Sequence, residues 1–176
     1  PGDLDIGLLR ADLVEMAKRT DRYDATIQEL KSLADSPARN TDVHFAVGRV
    51  LRAKGDSTAA IGEFEASLKS NPTNKGARLA VVGLQISERS YIPALNHIKK
   101  MLEDEPDNPQ YRLLRALCLR GQGNFGEARA ELTELKSTYP NIKQVQLELA
   151  NLDLAEGRLK QAESSFRNLE KTGRPD

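Results

Sequence analysis

Apolar side chains return along this chain at a fixed interval of 34 residues. A small residue, usually alanine, marks the interval, and a large apolar residue follows it four places later. The small residues are Thr26, Ala60, Ala94, Ala128 and Ala162, and the large ones are Leu30, Phe64, Ile98, Leu132 and Phe166. A period of this length is typical of repeat proteins, in which each unit buries its apolar face against the next unit.

Unit boundaries placed at 7, 41, 75, 109 and 143 divide the chain without any insertion. We expect a leader of residues 1–6 and five units of 34 residues, which are 7–40, 41–74, 75–108, 109–142 and 143–176. A place number below counts from the first residue of its unit. The recurring alanine therefore occupies place 20, and the large apolar residue occupies place 24.

Each unit is predicted to contain two helices joined by a short turn. In unit 41–74, apolar residues at i, i+4, i+7 and i+8 from Val43 indicate one face of a first helix. Gly55 ends that helix, because glycine accepts the left-handed conformation of a helix terminus. A second apolar stripe runs from Ile61 to Leu68, and Pro72 stops it because proline has no amide donor.

The small residue at place 20 lets two helices approach closely, and place 8 supplies a second compact contact in Gly48, Val82, Ala116 and Ala150. Prolines close three units, at Pro72, Pro106 and Pro140. This pattern resembles the tetratricopeptide repeat, whose units carry small residues at places 8 and 20, an aromatic residue at place 24 and proline at place 32. The resemblance covers residues 7–176 and implies an all-α fold, a right-handed superhelical solenoid of helix-turn-helix repeats.

One place departs from that family in every unit. Place 4 is often tryptophan in the family, but here it holds Arg10, His44, Arg78, Arg112 and Gln146. Thr26 also replaces the usual alanine in the first unit, and Arg115 stands where leucine is usual. We expect these changes to alter the packing of single units and to leave the fold intact.

The charge balance argues against one class of partner. Lys and Arg together number 26, as do Asp and Glu, so the formal net charge is zero and the basic surface that attracts nucleic acid is missing. No apolar run reaches the length of a membrane span, so direct membrane insertion is not expected. The single cysteine cannot form an internal disulfide, and both a cytoplasmic and a periplasmic location stay open.

No catalytic, cofactor or metal site is predicted. Gly121, Gly123 and Gly126 match the dinucleotide fingerprint formally, but that motif needs a preceding strand, and here it falls on the repeat turn. His44 and His97 occupy different places of different units, so no set of metal ligands converges. Cys118 is expected to be a small buried side chain rather than a reactive thiol. We therefore expect a protein without enzymatic activity.

The resemblance implies that first helices form a concave groove, with places 2, 5, 9, 12 and 13 facing into it. The acidic-tail clamp of some family members is absent, because places 2, 5, 6 and 9 of the first unit hold Leu8, Ala11, Asp12 and Glu15. The candidate groove residues are Phe45, Arg49, Arg52, Leu79, Ile86, Leu113, Leu117, Arg120, Leu147, Asn151 and Leu154. We expect them to bind an apolar or amphipathic segment of a partner protein, with arginines holding its ends. The alternative is that the leucines pack between units.

Four other functions stay open at this point. The last second helix exposes Phe166 and Leu169 at its end, so further repeats or a second copy are expected to cover it. The chain could then mainly self-associate or act as a spacer. It could also be the targeting arm of a larger enzyme, or a fragment of a larger bacterial protein of envelope or secretion assembly. RNA binding by helical repeats is a weaker rival, because the net charge is zero.

Overall fold

The computed structural model describes residues 4–34 and 37–173, and these residues are helical apart from short connections. The helices are α1 (Leu4–Met16), α2 (Tyr23–Ser32), α3 (Pro37–Lys54), α4 (Ser57–Ser70), α5 (Lys75–Ser87), α6 (Tyr91–Asp104), α7 (Pro109–Gly121), α8 (Phe125–Thr138), α9 (Lys143–Ala155) and α10 (Leu159–Gly173). A single 3₁₀ turn, Thr20–Arg22, precedes α2. The all-α helical-repeat class predicted from the sequence is confirmed.

Each 34-residue unit contains a first helix with an odd number and a second helix with an even number. The helix α1 begins at Leu4, so three residues of the expected leader belong to it, and Pro1–Asp3 lie outside the described residues, as do residues 174–176 of the last unit. The helix α3 begins at Pro37, four residues before the boundary at 41. Two compact units result, Pro1–Leu84 and Gln85–Asp176, and the division falls inside α5.

Helix ends follow from local side-chain chemistry. Asn108 caps α7, because its side-chain oxygen accepts hydrogen bonds from the amides of Gln110 at 3.0 Å and Tyr111 at 3.3 Å. Pro109 then occupies the first turn, where a missing amide donor costs nothing. Asp56 caps α4 in the same way by accepting from the Ala59 amide at 3.1 Å.

Glycine at place 15 makes the turn within a unit. Gly55, Gly123 and Gly157 have φ angles of +90°, +81° and +76°, which glycine adopts without a steric penalty. In the third unit the same place holds Arg89 at φ +60°. A residue with a Cβ is strained in that conformation, so this turn is less favourable than its counterparts.

The small residues of places 8 and 20 lie in the core. Ala60, Ala94 and Ala128 are fully buried, and a large side chain four places later fills the space beside each of them. At place 8, a Cβ added to Gly48 would lie 2.7 Å from the buried ring of Phe64. Close approach of the two helices of a unit therefore requires the small residues that the period revealed.

Candidate functional site

The candidate groove residues occupy one face of each first helix. On α7 they are Leu113, Leu117 and Arg120, and on α9 they are Leu147, Asn151 and Leu154, with spacings of four and three residues in both helices. Residues at this spacing share one helix face. Phe45, Arg49 and Arg52 repeat the spacing on α3, while Leu79 and Ile86 lie on α5.

In the compact unit Pro1–Leu84, ion pairs with α1 occupy both arginines of this face. Arg49 donates to Asp12 at 2.6 Å and pairs with Glu15 at 2.5 Å, and Arg52 donates to Glu15 at 3.0 Å. Burial by itself would lower the pKa of Arg49, but the negative charges of Glu15 and Asp12 outweigh it and raise that pKa. The positive charges of both arginines are therefore already balanced by carboxylates of the chain itself.

Phe45 packs inside the compact unit Pro1–Leu84. Its ring lies 5.7 Å from the ring of Phe64, centroid to centroid, and contacts the core of that unit. A Cβ added to Gly76 on α5 would lie 3.0 Å from the tip of Phe45, so the ring sits against both α4 and α5. For this residue at place 5, the geometry agrees with packing between helices.

In the compact unit Gln85–Asp176, an ion pair joins α7 to α9. Arg120 Nη2 lies 3.2 Å from Glu148 Oε2, and Gln144 donates to the other oxygen of Glu148 at 2.9 Å. Glu148 is buried, and the Nε of Arg120 has no hydrogen-bond partner among the described residues. The charge of Arg120, like those of Arg49 and Arg52, is thus balanced within the chain.

Apolar surface remains on the same face of α7 and α9, which we call the α7–α9 wall and define by Leu113, Leu117, Arg120, Leu147, Asn151 and Leu154. Leu113 packs against the buried core of the compact unit Gln85–Asp176. Leu117 and Leu147 are half-buried, and Leu154 is exposed. The wall therefore presents leucine side chains beside a neutralised ion pair.

The structure also explains the departure at place 4. Arg10 binds Glu29 at 2.5 Å, His44 lies 2.6 Å from Glu63, and Arg112 donates to Glu131 at 2.6 Å, each pair being separated by 19 residues. His44 must carry a proton on Nδ1 to donate to the Glu63 carboxylate. Sequence reasoning missed these pairs, although the opposite charges at places 4 and 23 were a readable signal.

The remaining place-4 residues bind backbone carbonyls instead. Arg78 donates to the carbonyl of Pro72, and Gln146 donates to the carbonyl of Pro140 at 2.9 Å. Both carbonyls belong to place 32 of the preceding unit. A polar side chain at place 4 thus ties each first helix to its surroundings, where the family commonly has a large aromatic residue.

The residue types singled out for possible chemistry in the sequence lie in ordinary structural positions among residues 4–34 and 37–173. Within that part of the chain, no group of three or more His, Cys, Asp or Glu side chains could hold a metal ion. Cys118 is fully buried, and burial raises the pKa of its thiol to about 11, which suppresses the nucleophilic thiolate. Gly121 and Gly123 lie at the end of α7 and in the turn before α8, where the dinucleotide motif would need a strand first.

Comparison with known protein families matches this architecture. Models described as tetratricopeptide repeat match residues 12–75, 51–118 and 85–146. The chain belongs to the tetratricopeptide repeat family. The chain shows helix pairs, small residues at places 8 and 20 and positive-φ glycines in the turns.

Relatives of known structure share the fold along nearly the whole chain. MamA 41-end from Desulfovibrio magneticus RS-1 is 17% identical with a TM-score of 0.76, and the match covers 99% of each chain. A tetratricopeptide repeat protein from Parabacteroides merdae is 16% identical with a TM-score of 0.68, covering 99% of this chain and 67% of the other. At these identities the likeness shows the fold alone.

One curated relative is a tetratricopeptide repeat and J domain-containing co-chaperone from Cryptococcus neoformans var. grubii. It is 22% identical over 143 residues, and the match covers 74% of this chain but 27% of the co-chaperone. The chain therefore spans about a quarter of that relative. The bacterial origin expected from the sequence stays a prediction.

Membership of this family defines the general role of the chain. It is a repeat scaffold of the kind that mediates protein interaction, as the sequence predicted. In the described ranges, no helix is both long and apolar enough to cross a bilayer.

Proposed function

We propose that this scaffold binds an apolar or amphipathic segment of a partner protein along the α7–α9 wall. The observation that carries the proposal is the leucine surface of Leu117, Leu147 and Leu154 on adjacent first helices. Exposed apolar surface is favourable to cover, and a helix or extended segment with apolar residues every three or four positions matches it.

The charge pattern of the wall supports apolar rather than electrostatic recognition. Arg120 is balanced by Glu148 at 3.2 Å, and Asn151 is neutral. A ligand that relied on Arg120 would have to break this pair and leave Glu148, which is buried, without its counter-ion. Binding should therefore depend weakly on salt concentration, since salt screens exposed charges and leaves apolar contacts in place.

An acidic chaperone tail is a poorer candidate for the ligand. Asp12 and Glu15 lie on the first-helix face of α1, and they already bind Arg49 and Arg52. Carboxylates there would repel an incoming carboxylate, and the arginines offer it no unpaired charge.

Selection from a displayed library of random peptides tests the proposal. Enriched peptides should carry apolar residues at i and i+3 or i+4, and fluorescence anisotropy should show that their affinity changes less than about threefold between 50 mM and 500 mM salt. Leu117→Asp and Leu147→Asp should each weaken binding by tenfold or more, because a leucine contact is worth roughly 1.5–3 kcal/mol.

Ile92→Asp is the matched control, because Ile92 is exposed on α6, a second helix of the same compact unit. It should bind the peptides as the wild type does. Circular dichroism reports whether each variant stays folded. Unchanged binding by folded Leu117→Asp and Leu147→Asp would rule out the wall, and loss of folding in both would show that these leucines pack between units instead.

A further inference from the structure

An apolar stripe lies exposed on the first helix of the chain. On α1, Leu9, Leu13 and Met16 are 61%, 65% and 80% exposed, and they occupy places 3, 7 and 10 of their unit. The residues at places 3 and 10 of every later unit are buried, namely Val43, Ala77, Tyr111 and Val145 at place 3 and Val50, Leu84, Cys118 and Leu152 at place 10. The stripe on α1 therefore exposes apolar residues at places 3 and 10, which are buried in every later unit.

The interior of the compact unit Gln85–Asp176 shows which residues cover places 3 and 10. Leu132 and Leu135 of α8 share one buried cluster with Val145 and Leu152 of α9. A second helix thus packs its places 24 and 27 against places 3 and 10 of the following first helix. On α1 the matching places are Leu9 and Met16, so the stripe fits the face of a second helix.

The last second helix carries the complementary face. On α10, places 24 and 27 hold Phe166 and Leu169, and Leu159 at place 17 is 64% exposed. Place 17 belongs to the same contact, because the ring of Tyr91 on α6 lies directly over Gly121 at place 13 of the following first helix. A cavity of about 410 Å³ opens beside Leu13, and one of about 350 Å³ opens beside Leu159 and Phe166.

The charges around the two faces agree with this pairing. Lys31 at place 25 binds Glu63 at place 23 of the following unit at 3.0 Å. The same two places are Arg167 on α10 and Glu29 on α2, so their charges are again opposite. Arg19 and Arg22, which pair with Asp21, border the α1 cavity, and Glu163, which pairs with Arg167, borders the α10 cavity, so these charges are already balanced within each copy.

We infer that this chain associates with a second copy of itself head to tail, with α10 of one copy packed on α1 of the next. The contact reproduces the α8–α9 packing between molecules, with Phe166 and Leu169 against Leu9 and Met16. Because the two faces differ, the contact is heterologous, and each added copy leaves one face open for another. This surface is separate from the α7–α9 wall, except that Leu154 borders both.

Sedimentation velocity between 1 and 500 μM tests the inference on the wild-type chain. Species larger than a dimer should grow with concentration, as an open head-to-tail contact requires. Leu13→Asp and Leu159→Asp should each sediment as monomers up to concentrations at least roughly tenfold higher. Ile92→Asp, with a similarly exposed side chain on α6, should behave as the wild type.

Mixing the two variants identifies the polarity of the contact. Leu13→Asp keeps the α10 face and Leu159→Asp keeps the α1 face, so an equimolar mixture should form a dimer and nothing larger. A wild type that stays monomeric at all concentrations would overturn the inference, as would a mixture that stays monomeric. If only one variant lost association, the contact would join like faces and the head-to-tail arrangement would be wrong.

Circular dichroism confirms the fold of each variant, and Met16→Lys replaces Leu13→Asp if that variant unfolds. The charge pair has its own check, because Arg167→Glu would face Glu29 with a like charge and should weaken association. Peptide binding to the α7–α9 wall reports independently, so failure of self-association leaves the proposed function standing.

Discussion

Arg112 donates from Nε to Glu131 Oε1 across 2.6 Å, between two side chains that are each about nine-tenths buried. A second guanidinium, that of Arg115, contacts the other oxygen of Glu131. Arg112 also binds Glu134 at 2.7 Å, and its pKa is raised, first by that hydrogen bond and then by the bond to Glu131. The fourth unit thus holds a charge cluster built on the buried pair Arg112–Glu131, with Arg115 and Glu134 at its exposed edge, where the family commonly packs an aromatic ring.

Removing one member of that cluster should destabilise the protein. Arg112→Leu leaves Glu131 buried with Arg115 as its remaining partner, and we expect a loss of about 3 kcal/mol in the free energy of unfolding by urea. The double variant Arg112→Leu with Glu131→Leu should recover most of this loss, because it removes both buried charges.

The matched control is Arg10→Leu, at the same place of the first unit. Arg10 and Glu29 form the same pair at 2.5 Å, but both side chains are substantially exposed, and such pairs contribute roughly 0–1 kcal/mol. Equal losses in Arg10→Leu and Arg112→Leu would show that burial does not set the strength of these pairs.

Close helix packing at place 8 should make one glycine difficult to replace. Gly48→Ala puts a Cβ about 2.7 Å from the Phe64 ring, which is fully buried. Overpacking costs about 1–3 kcal/mol, against a gain in helix propensity of about 1 kcal/mol. Gly62→Ala meets nothing within 4 Å in α4, so it should stabilise the protein. A stabilised Gly48→Ala in a urea titration would refute this account of place 8.

The strained turn of the third unit should be improvable. Arg89→Gly places glycine at φ +60°, as in three other units, and should raise the melting temperature through a gain of roughly 1 kcal/mol. Gly123→Ala, at φ +81° with nothing within 4 Å, is the reverse change and should lower it. Differential scanning calorimetry of both variants measures the effect. A lower melting temperature for Arg89→Gly would mean that the arginine makes a contact worth more than the strain.

The Glu63 carboxylate should give the protein an acid-sensitive contribution to stability. Burial by itself would raise its pKa, but hydrogen bonds from His44 and Lys31 outweigh burial and lower that pKa from the ordinary value of 4.5. A carboxylate with a lowered pKa in the folded state stabilises the protein above pH 4.5, and this contribution is lost as the pH falls towards the lowered value.

Glu63→Gln should therefore be less stable than the wild type at pH 7, and the difference should shrink as the pH falls below 4.5. Urea titrations across this range measure it. Glu65→Gln on the exposed face of α4 should follow the wild type at every pH. A constant difference between Glu63→Gln and the wild type would show that the carboxylate is not responsible.

The sequence was sufficient for the architecture because backbone geometry and side-chain volume leave local traces. Ala60 and its equivalents had to be small, and Gly55 had to accept a positive φ, so both recur in phase. The ion pairs left a weaker trace. Arg112 looked like an isolated departure from the family, because its partner lies 19 residues away and only helix pairing brings it near.

The candidate site shows the same limit. The helical period placed Leu117 and Leu147 on first helices, and the structure has them there, half-buried. The period could not show that Arg49 and Arg52 are occupied by Asp12 and Glu15, since this depends on how α1 meets α3. It also could not show that Met16 is exposed while its equivalents are buried, because burial depends on the neighbouring helix.

Chemical-shift mapping tests the central claim most directly. A selected peptide is titrated into the ¹⁵N-labelled chain, and the amides that shift are assigned to their helices. We predict that the largest shifts fall on α7 and α9, around Leu117, Leu147 and Asn151, with Ile92 and the rest of α6 unaffected. Shifts concentrated on the second helices α6 and α8, with α7 and α9 unchanged, would contradict the account.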